Sequence, residues 1–272
     1  MSFEKINGLN IYYEVHGEGE TIMLLHHGFG CSKIWKKVCP ALVDQGYRVV
    51  MFDRRGFGQS DRGGNFQEFY ESDRYRTESV EELKAIKDTL GINKCHIVGQ
   101  CEGGVVGVDY SVKYPGEVMT LTTSSTQCYS EIPMTELNSL KLVNTYRDLA
   151  PALQARMIEW HGEEFAEWNY NQFAKSGGEY GTGLFDLRPI LPFVPCPTLV
   201  IYPDRSSIFD VEQSIAFYRN LIKGELAVFP KCGHNTYDQR PDDYIRAIVE
   251  FIARITKGKE SREGRPEMTC LA

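Results

Sequence analysis

Long hydrophobic runs are missing from this chain of 272 residues. No apolar stretch approaches the roughly 18 residues that suggest a membrane span, so a soluble protein with no membrane partner is expected. The opening residues, Met1-Ser2-Phe3-Glu4-Lys5, carry neither the basic region nor the apolar stretch of a signal peptide, which points to the cytoplasm. Clusters of positive charge are lacking too. Lys and Arg are scattered and the formal net charge is -7, which speaks against nucleic acid as a partner. No two of the eight cysteines form a C-x-x-C pair, and a chain of this size folds without disulfides, so most read as small buried hydrophobes. The six histidines show no H-E-x-x-H spacing, and the glycines at 99–104 read G-x-x-x-G-G rather than G-x-G-x-x-G. Neither a metal nor a dinucleotide is called for, and no cofactor is expected.

What is present is an ordinary globular composition, 42% hydrophobic and 25% charged, in a length that suits one folding unit with an insertion. Asn7-Gly8 lies between two short apolar segments and reads as a hairpin turn. Compact apolar stretches with strand composition follow at 21–25, 48–52, 95–98, 118–122, 198–202 and 226–229. Between the second and third, Ser79-Val80-Glu81-Glu82 reads as a capping box, with Val80, Leu83, Ile86 and Leu90 at helical spacing after it. A last helix is expected over 242–255. This alternation predicts a mostly parallel sheet covered on both faces.

The alternation breaks once. From about 130 to 187 no strand stands out, but Leu140, Leu142, Leu149, Leu153, Met157, Trp160, Phe165, Trp168 and Phe173 recur in helix-like stretches. Residues 126–189 therefore read as a helical lid inserted in a core of 1–125 and 190–258, with some of its aromatics lining a pocket. The charged end, 259–272, reads as a flexible tail.

Chemistry concentrates at Gly99-Gln100-Cys101-Glu102-Gly103, between the apolar run at 95–98 and a second at 105–108. This is the strand–turn–helix setting of a G-x-S-x-G nucleophile elbow, with cysteine at its centre. A thiol there sits at a helix N-terminus, which favours the thiolate. Three further segments accompany it in order: His26-His27-Gly28-Phe29-Gly30, Asp53-Arg54-Arg55-Gly56-Phe57-Gly58-Gln59-Ser60 and Gly233-His234-Asn235.

Together the four segments resemble the α/β-hydrolase fold superfamily over roughly residues 3–255. The resemblance implies an eight-stranded, mostly parallel sheet with helices on both faces and a small helical lid. It also implies Cys101 as nucleophile, His234 as base, and the backbone amides of Phe29 and Glu102 as oxyanion hole. Glu102 is expected to turn its carboxylate away from Cys101, because a charge beside the thiol opposes its ionisation. His26 and His96 read as structural, and His27 as a shaper of the oxyanion loop.

The orienting acid departs from the family's pattern. Aligned without a gap, its place is held by Ser206, while Asp204, two residues earlier, reaches it if the loop shifts. Both assignments stand at this point. The leading functional reading is a cofactor-independent hydrolase or acyltransferase attacking a small ester, thioester, lactone or diketone-like substrate. The alternative is a ligand-binding or sensor member of the fold that no longer turns over. Whether Cys101 replaces a serine by substitution, and the oligomeric state, are open from sequence.

Overall fold

Asn7 and Gly8, at φ 51° and 84°, turn strand β1 (Ser2–Ile6) back onto β2 (Leu9–His16), as the Asn-Gly pair predicts. The computed structural model describes residues 2–142, 144–176 and 183–263. Six more strands follow: β3 (Thr21–Leu25), β4 (Arg48–Phe52), β5 (Cys95–Gln100), β6 (Val118–Ser124), β7 (Thr198–Pro203) and β8 (Gly224–Phe229). They form one eight-stranded sheet in the order β1-β2-β4-β3-β5-β6-β7-β8. The hairpin runs antiparallel to β4, and β3 to β8 are parallel to one another.

The period-two alternation of the strands divides the core into two layers. Met23, Leu25, Val50 and Phe52 face one side, where α3 (Arg74–Thr89), α4 (Glu102–Lys113) and α8 (Glu212–Asn220) supply Val80, Leu83, Val105 and Phe217. Ile22, Leu24, Val49 and Met51 face the other, against α1 (Val38–Asp44) and α10 (Pro241–Glu263) with Leu42, Tyr244, Ile248 and Phe251. Strands buried on both faces need apolar residues at every position, which is why they appeared in the sequence as unbroken runs.

Two boundaries differ from expectation. Helix α3 begins at Arg74, five residues before the supposed cap, and Ser79 lies inside it with its hydroxyl donating to the Tyr75 carbonyl at 2.9 Å. A serine inside a helix can donate to the carbonyl four residues back, so the S-x-x-E pattern occurs here without marking a helix start. Helix α10 continues to Glu263, beyond the expected core limit of 258, so the expected tail is helical at its beginning. Residues 264–272, the remainder of that tail, lie outside the described residues.

Between β6 and β7 stand α5 (Met134–Lys141), α6 (Pro151–His161) and α7 (Glu163–Ser176). An isolated antiparallel bridge between Tyr129 and Asp186 joins the two ends of this insertion. A short α2 (Phe66–Tyr70) abuts it, with Phe66 and Phe69 clustered against Phe165. Among the described residues no helix is long and apolar enough to cross a membrane.

Glu82 carries a carboxylate buried beside the core. Glu82, on α3, accepts the Arg55 backbone N–H at 3.0 Å, and burial pushes its pKa up from 4.5 to about 7. Between those values the folded state holds a proton that the unfolded chain has released, so this residue's contribution to stability falls as pH rises. The Glu82→Gln variant retains an oxygen for Arg55 and loses the titration. Relative to wild type, it is expected to gain on the order of 2 kcal/mol in urea denaturation on going from about pH 5 to about pH 8. Parallel stability profiles for the two proteins would contradict this account.

Candidate active site

Cys101 occupies a backbone conformation that side chains seldom adopt, φ 51° and ψ -115°, between the end of β5 and the start of α4. Such a turn costs roughly 1–3 kcal/mol and persists only where its surroundings enforce it. Here the enforcement is close packing of backbone. A Cβ on Gly99 would stand 2.3 Å from the Gly103 carbonyl carbon, and one on Gly103 would stand 2.2 Å from the Leu25 carbonyl oxygen. The turn is pinned at both ends, by the Cys101 N–H to the Ser124 carbonyl at 2.8 Å and by the Gly104 N–H to the Cys101 carbonyl at 2.9 Å. Cys101 is thereby presented to a cavity of about 320 Å³ that His234 also lines.

His234 is held by its backbone from β5 and β6. Its carbonyl accepts from Gln100 Nε2 at 2.9 Å and from the Ser125 hydroxyl at 2.7 Å. On the ring, Nδ1 lies 3.3 Å from Ser206 Oγ, and Phe209 meets it edge-on with centroids 5.7 Å apart. Burial lowers the pKa of His234 from 6.5 to about 4. The imidazole is neutral near pH 7.

The structure corrects the placement of Asp204. Its Oδ1 accepts the Cys232 N–H at 3.0 Å, and its Oδ2 lies 3.6 Å from the Arg205 guanidinium. Asp204 thus braces the loop two residues ahead of His234, while the side chain at His234 Nδ1 is Ser206. A shift of the loop would break the Arg205 N–H bond to the Cys232 carbonyl, 3.0 Å long, which ties the same two segments together.

Phe29 lines the cavity, and Glu102 follows Cys101 at the start of α4. The Phe29 N–H donates to His27 Nδ1 at 3.2 Å, and His27 Nε2 in turn faces the Tyr237 hydroxyl at 3.1 Å. The amide expected to receive a negative oxygen is therefore engaged by its own loop. Glu102 N sits in the first turn of α4, where a helix has no carbonyl of its own for the amide. The Glu102 carboxylate meets Arg54 Nη2 at 2.8 Å with both side chains buried, and the guanidinium lies 5.1 Å from the Phe57 ring centre. The charge beside Cys101 is neutralised from behind.

His26 is structural: Arg54 N–H donates to its Nε2 at 3.1 Å, and its Nδ1 faces the His27 carbonyl at 2.8 Å. His96, with Nδ1 2.8 Å from the Thr120 hydroxyl, is a core residue. The seven described cysteines are buried and free of disulfides, and Cys270 lies outside the described residues.

Of the insertion residues singled out from sequence, Leu142, Leu153, Met157 and Trp160 line the cavity with Cys101. Leu149 and Phe165 pack into the core, Leu140 is exposed, and the Phe173 side chain lies outside the described residues. Sequence reasoning missed Asn138, Arg156 and His161. The first two line the cavity. His161 accepts the Gly58 N–H through Nδ1 at 3.1 Å and donates from Nε2 to the Phe29 carbonyl at 2.8 Å. It joins the insertion to two loops of the core. Helical spacing marks positions that face inward, but a polar residue on such a face carries no sign of what it meets.

The model of the alpha/beta hydrolase fold family matches residues 21–140 and 136–241. Among curated proteins, a 2-hydroxy-6-oxo-6-phenylhexa-2,4-dienoate hydrolase of Comamonas testosteroni is 23% identical, with 93% of this chain and 94% of that protein covered. A 2-hydroxy-6-oxononadienedioate/2-hydroxy-6-oxononatrienedioate hydrolase of Klebsiella pneumoniae is 26% identical, covering 90% and 92%. Among solved structures, the enol-lactonase from Burkholderia xenovorans superimposes with a TM-score of 0.74 at 18% identity, over 92% of this chain and 99% of that one. A meta-cleavage product hydrolase from Pseudomonas fluorescens gives 0.73 at 22%, over 93% and 98%.

Replacing His161 by Phe keeps a ring in place and leaves the Gly58 N–H and Phe29 carbonyl without their partner. Stability in urea is expected to fall by about 1–2 kcal/mol, since a buried orphan costs about 1–3 kcal/mol and these two bonds are half-buried. A loss below about 0.5 kcal/mol, within the scatter of surface substitutions, would show that these bonds do not join insertion to core.

Proposed function

Since the chain belongs to the alpha/beta hydrolase fold family, we propose that it is a cofactor-independent hydrolase of a small carbonyl compound, working through Cys101 and His234. The observation that carries this reading is the strained turn that presents Cys101 to the same cavity as His234. A stored distortion at a nucleophilic side chain is typical of sites where it serves the reaction. The cavity, at about 320 Å³, is near the lower end of small-molecule sites, which span roughly 300–1,000 Å³.

In the proposed reaction the sulfur of Cys101 bonds to the substrate's carbonyl carbon and the C=O electron pair moves onto oxygen. In this scheme the Glu102 N–H receives that oxygen, and Phe29 N–H joins it on exchanging its bond to His27. His234 passes the thiol proton to the leaving group as the tetrahedral species collapses to a thioester. Water then cleaves the thioester, releasing the acid and restoring the thiol. The leaving group is an enolate carbon in a diketone-like substrate, or an enol oxygen in a lactone. The named relatives, hydrolases of 2-hydroxy-6-oxo dienoic acids and an enol-lactonase, support this class of substrate.

Two groups suit a substrate with further oxygen atoms. Asn138, on α5, is 7% exposed, lines the cavity and has no hydrogen-bond partner for Nδ2 among the described residues. Arg156, on α6, brings a positive charge to the wall. A second reading, capture of a ligand without turnover, is favoured by Ser206 standing where an acid is expected and by the engaged Phe29 amide.

Intact-protein mass spectrometry during incubation with enol-lactones, diketones, activated esters and thioesters distinguishes these readings. Hydrolysis predicts a transient adduct on Cys101 with steady product. The Cys101→Ala variant should lose about 1,000-fold or more in turnover while its melting temperature stays nearly unchanged. An adduct that never releases would instead support capture, and turnover unaffected by Cys101→Ala would overturn the nucleophile assignment.

A further inference from the structure

Ser206 Oγ has three neighbours at hydrogen-bond distance. The backbone N–H groups of Ile208 and Phe209 both donate to it at 3.2 Å, and His234 Nδ1 lies 3.3 Å away. A hydroxyl has two lone pairs and one hydrogen. The two amides can only donate, so they occupy both lone pairs, and the hydrogen is what remains for Nδ1. We infer that Ser206 is a positioning residue that donates to His234 Nδ1 and so holds the neutral ring with its hydrogen on Nε2. This is the reverse of the form imposed by a carboxylate, which accepts from Nδ1 and leaves Nε2 open.

The surroundings agree. Burial keeps the ring neutral, so one nitrogen carries the hydrogen and the other does not. Asp204 is engaged by the Cys232 amide and Arg205, and the ring's other named neighbour is the edge of Phe209.

The inference builds on the site proposed above and makes it more specific. With hydrogen on Nε2, His234 offers a donor to a substrate oxygen. It accepts the thiol proton only in its other tautomer, reached by giving the Nε2 hydrogen to water and taking one from water at Nδ1 as Ser206 gives up its donation, and Ser206 brings no charge to offset an imidazolium. The resting site therefore favours substrates whose reacting oxygen is already electron-rich, such as enolates and conjugated carbonyls, over plain esters. A thiol tolerates this arrangement better than a serine hydroxyl, because a few per cent of it is ionised near neutral pH without a base.

The Ser206→Asp variant should reverse the pattern. An aspartate accepts the Ile208 and Phe209 amides as an Asx turn does and takes the Nδ1 hydrogen as well. Nε2 is then open to the Cys101 proton, with the imidazolium balanced by the carboxylate. The decisive measurement is nitrogen-15 NMR of the full chain with labelled histidine, the His234 signals being identified by their loss in His234→Gln. Hydrogen on Nε2 in wild type and on Nδ1 in Ser206→Asp is expected. Hydrolysis of p-nitrophenyl acetate should rise by about 100-fold in Ser206→Asp, in the range of general-base effects.

Hydrogen on Nδ1 in wild type would overturn the inference, and that experiment needs no variant at position 206 to fold. A folded Ser206→Asp protein with hydrogen on Nδ1 and no gain on the ester would overturn its consequence for substrate choice. Because the NMR readout requires no turnover, failure of the hydrolase reading would appear separately, as the absence of any adduct on Cys101.

Discussion

The arrangement around Cys101 depends on how closely β5, α4 and β3 approach one another. Two glycines, at 99 and 103, remove the side chains that would hold the backbones apart, and Leu25 fills the space left against Gly103. With that contact made, the chain cannot leave β5 and enter α4 without a residue at positive φ, and Cys101 is that residue. Its cost is spread over the packing of three elements rather than met by any bond of the cysteine itself.

Charge near this turn is handled by burial and pairing. The Glu102 carboxylate, one residue from Cys101, is matched by Arg54, which comes from the loop after β4. Desolvation keeps His27, His161 and His234 neutral, with pKa values lowered to about 3, 4 and 4. Neutral imidazoles can donate at one nitrogen and accept at the other, and His161 uses both to link the insertion to the core. Apart from Arg156 on its wall, the site is consequently a set of oriented dipoles, a setting in which the position of a single hydrogen decides what a ring can do.

Cysteine at the elbow and serine at Ser206 belong together chemically. A serine nucleophile needs a strong base, and a strong base needs a carboxylate behind it. In the proposed reaction the thiol ionises more readily and makes a weaker demand, which leaves the acid's expected place open to a residue that does something else. At Ser206 that residue also ties its own loop, through the amides of Ile208 and Phe209.

Much of the fold was legible because parallel strands buried on both faces must be apolar throughout, and the Asn7-Gly8 turn and the elbow glycines are dictated by local sterics. That Cys101, His234 and Phe29 meet at one cavity was foreshadowed by the chain, because each follows a strand end by a few residues. The sequence by itself thus determined the order of strands and helices and where the elbow falls, while the packing of Gly103 on Leu25 joins segments far apart in the chain. What only the tertiary structure decided involves contacts across long separations. Ser206 rather than Asp204 meets His234 because the Asp204 carboxylate is taken by a backbone amide of the neighbouring loop, an alternative that no spacing in the chain records. His161, Asn138 and Arg156 reach the site from an insertion whose docking is set by side-chain packing, and packing partners are not encoded in helical period alone.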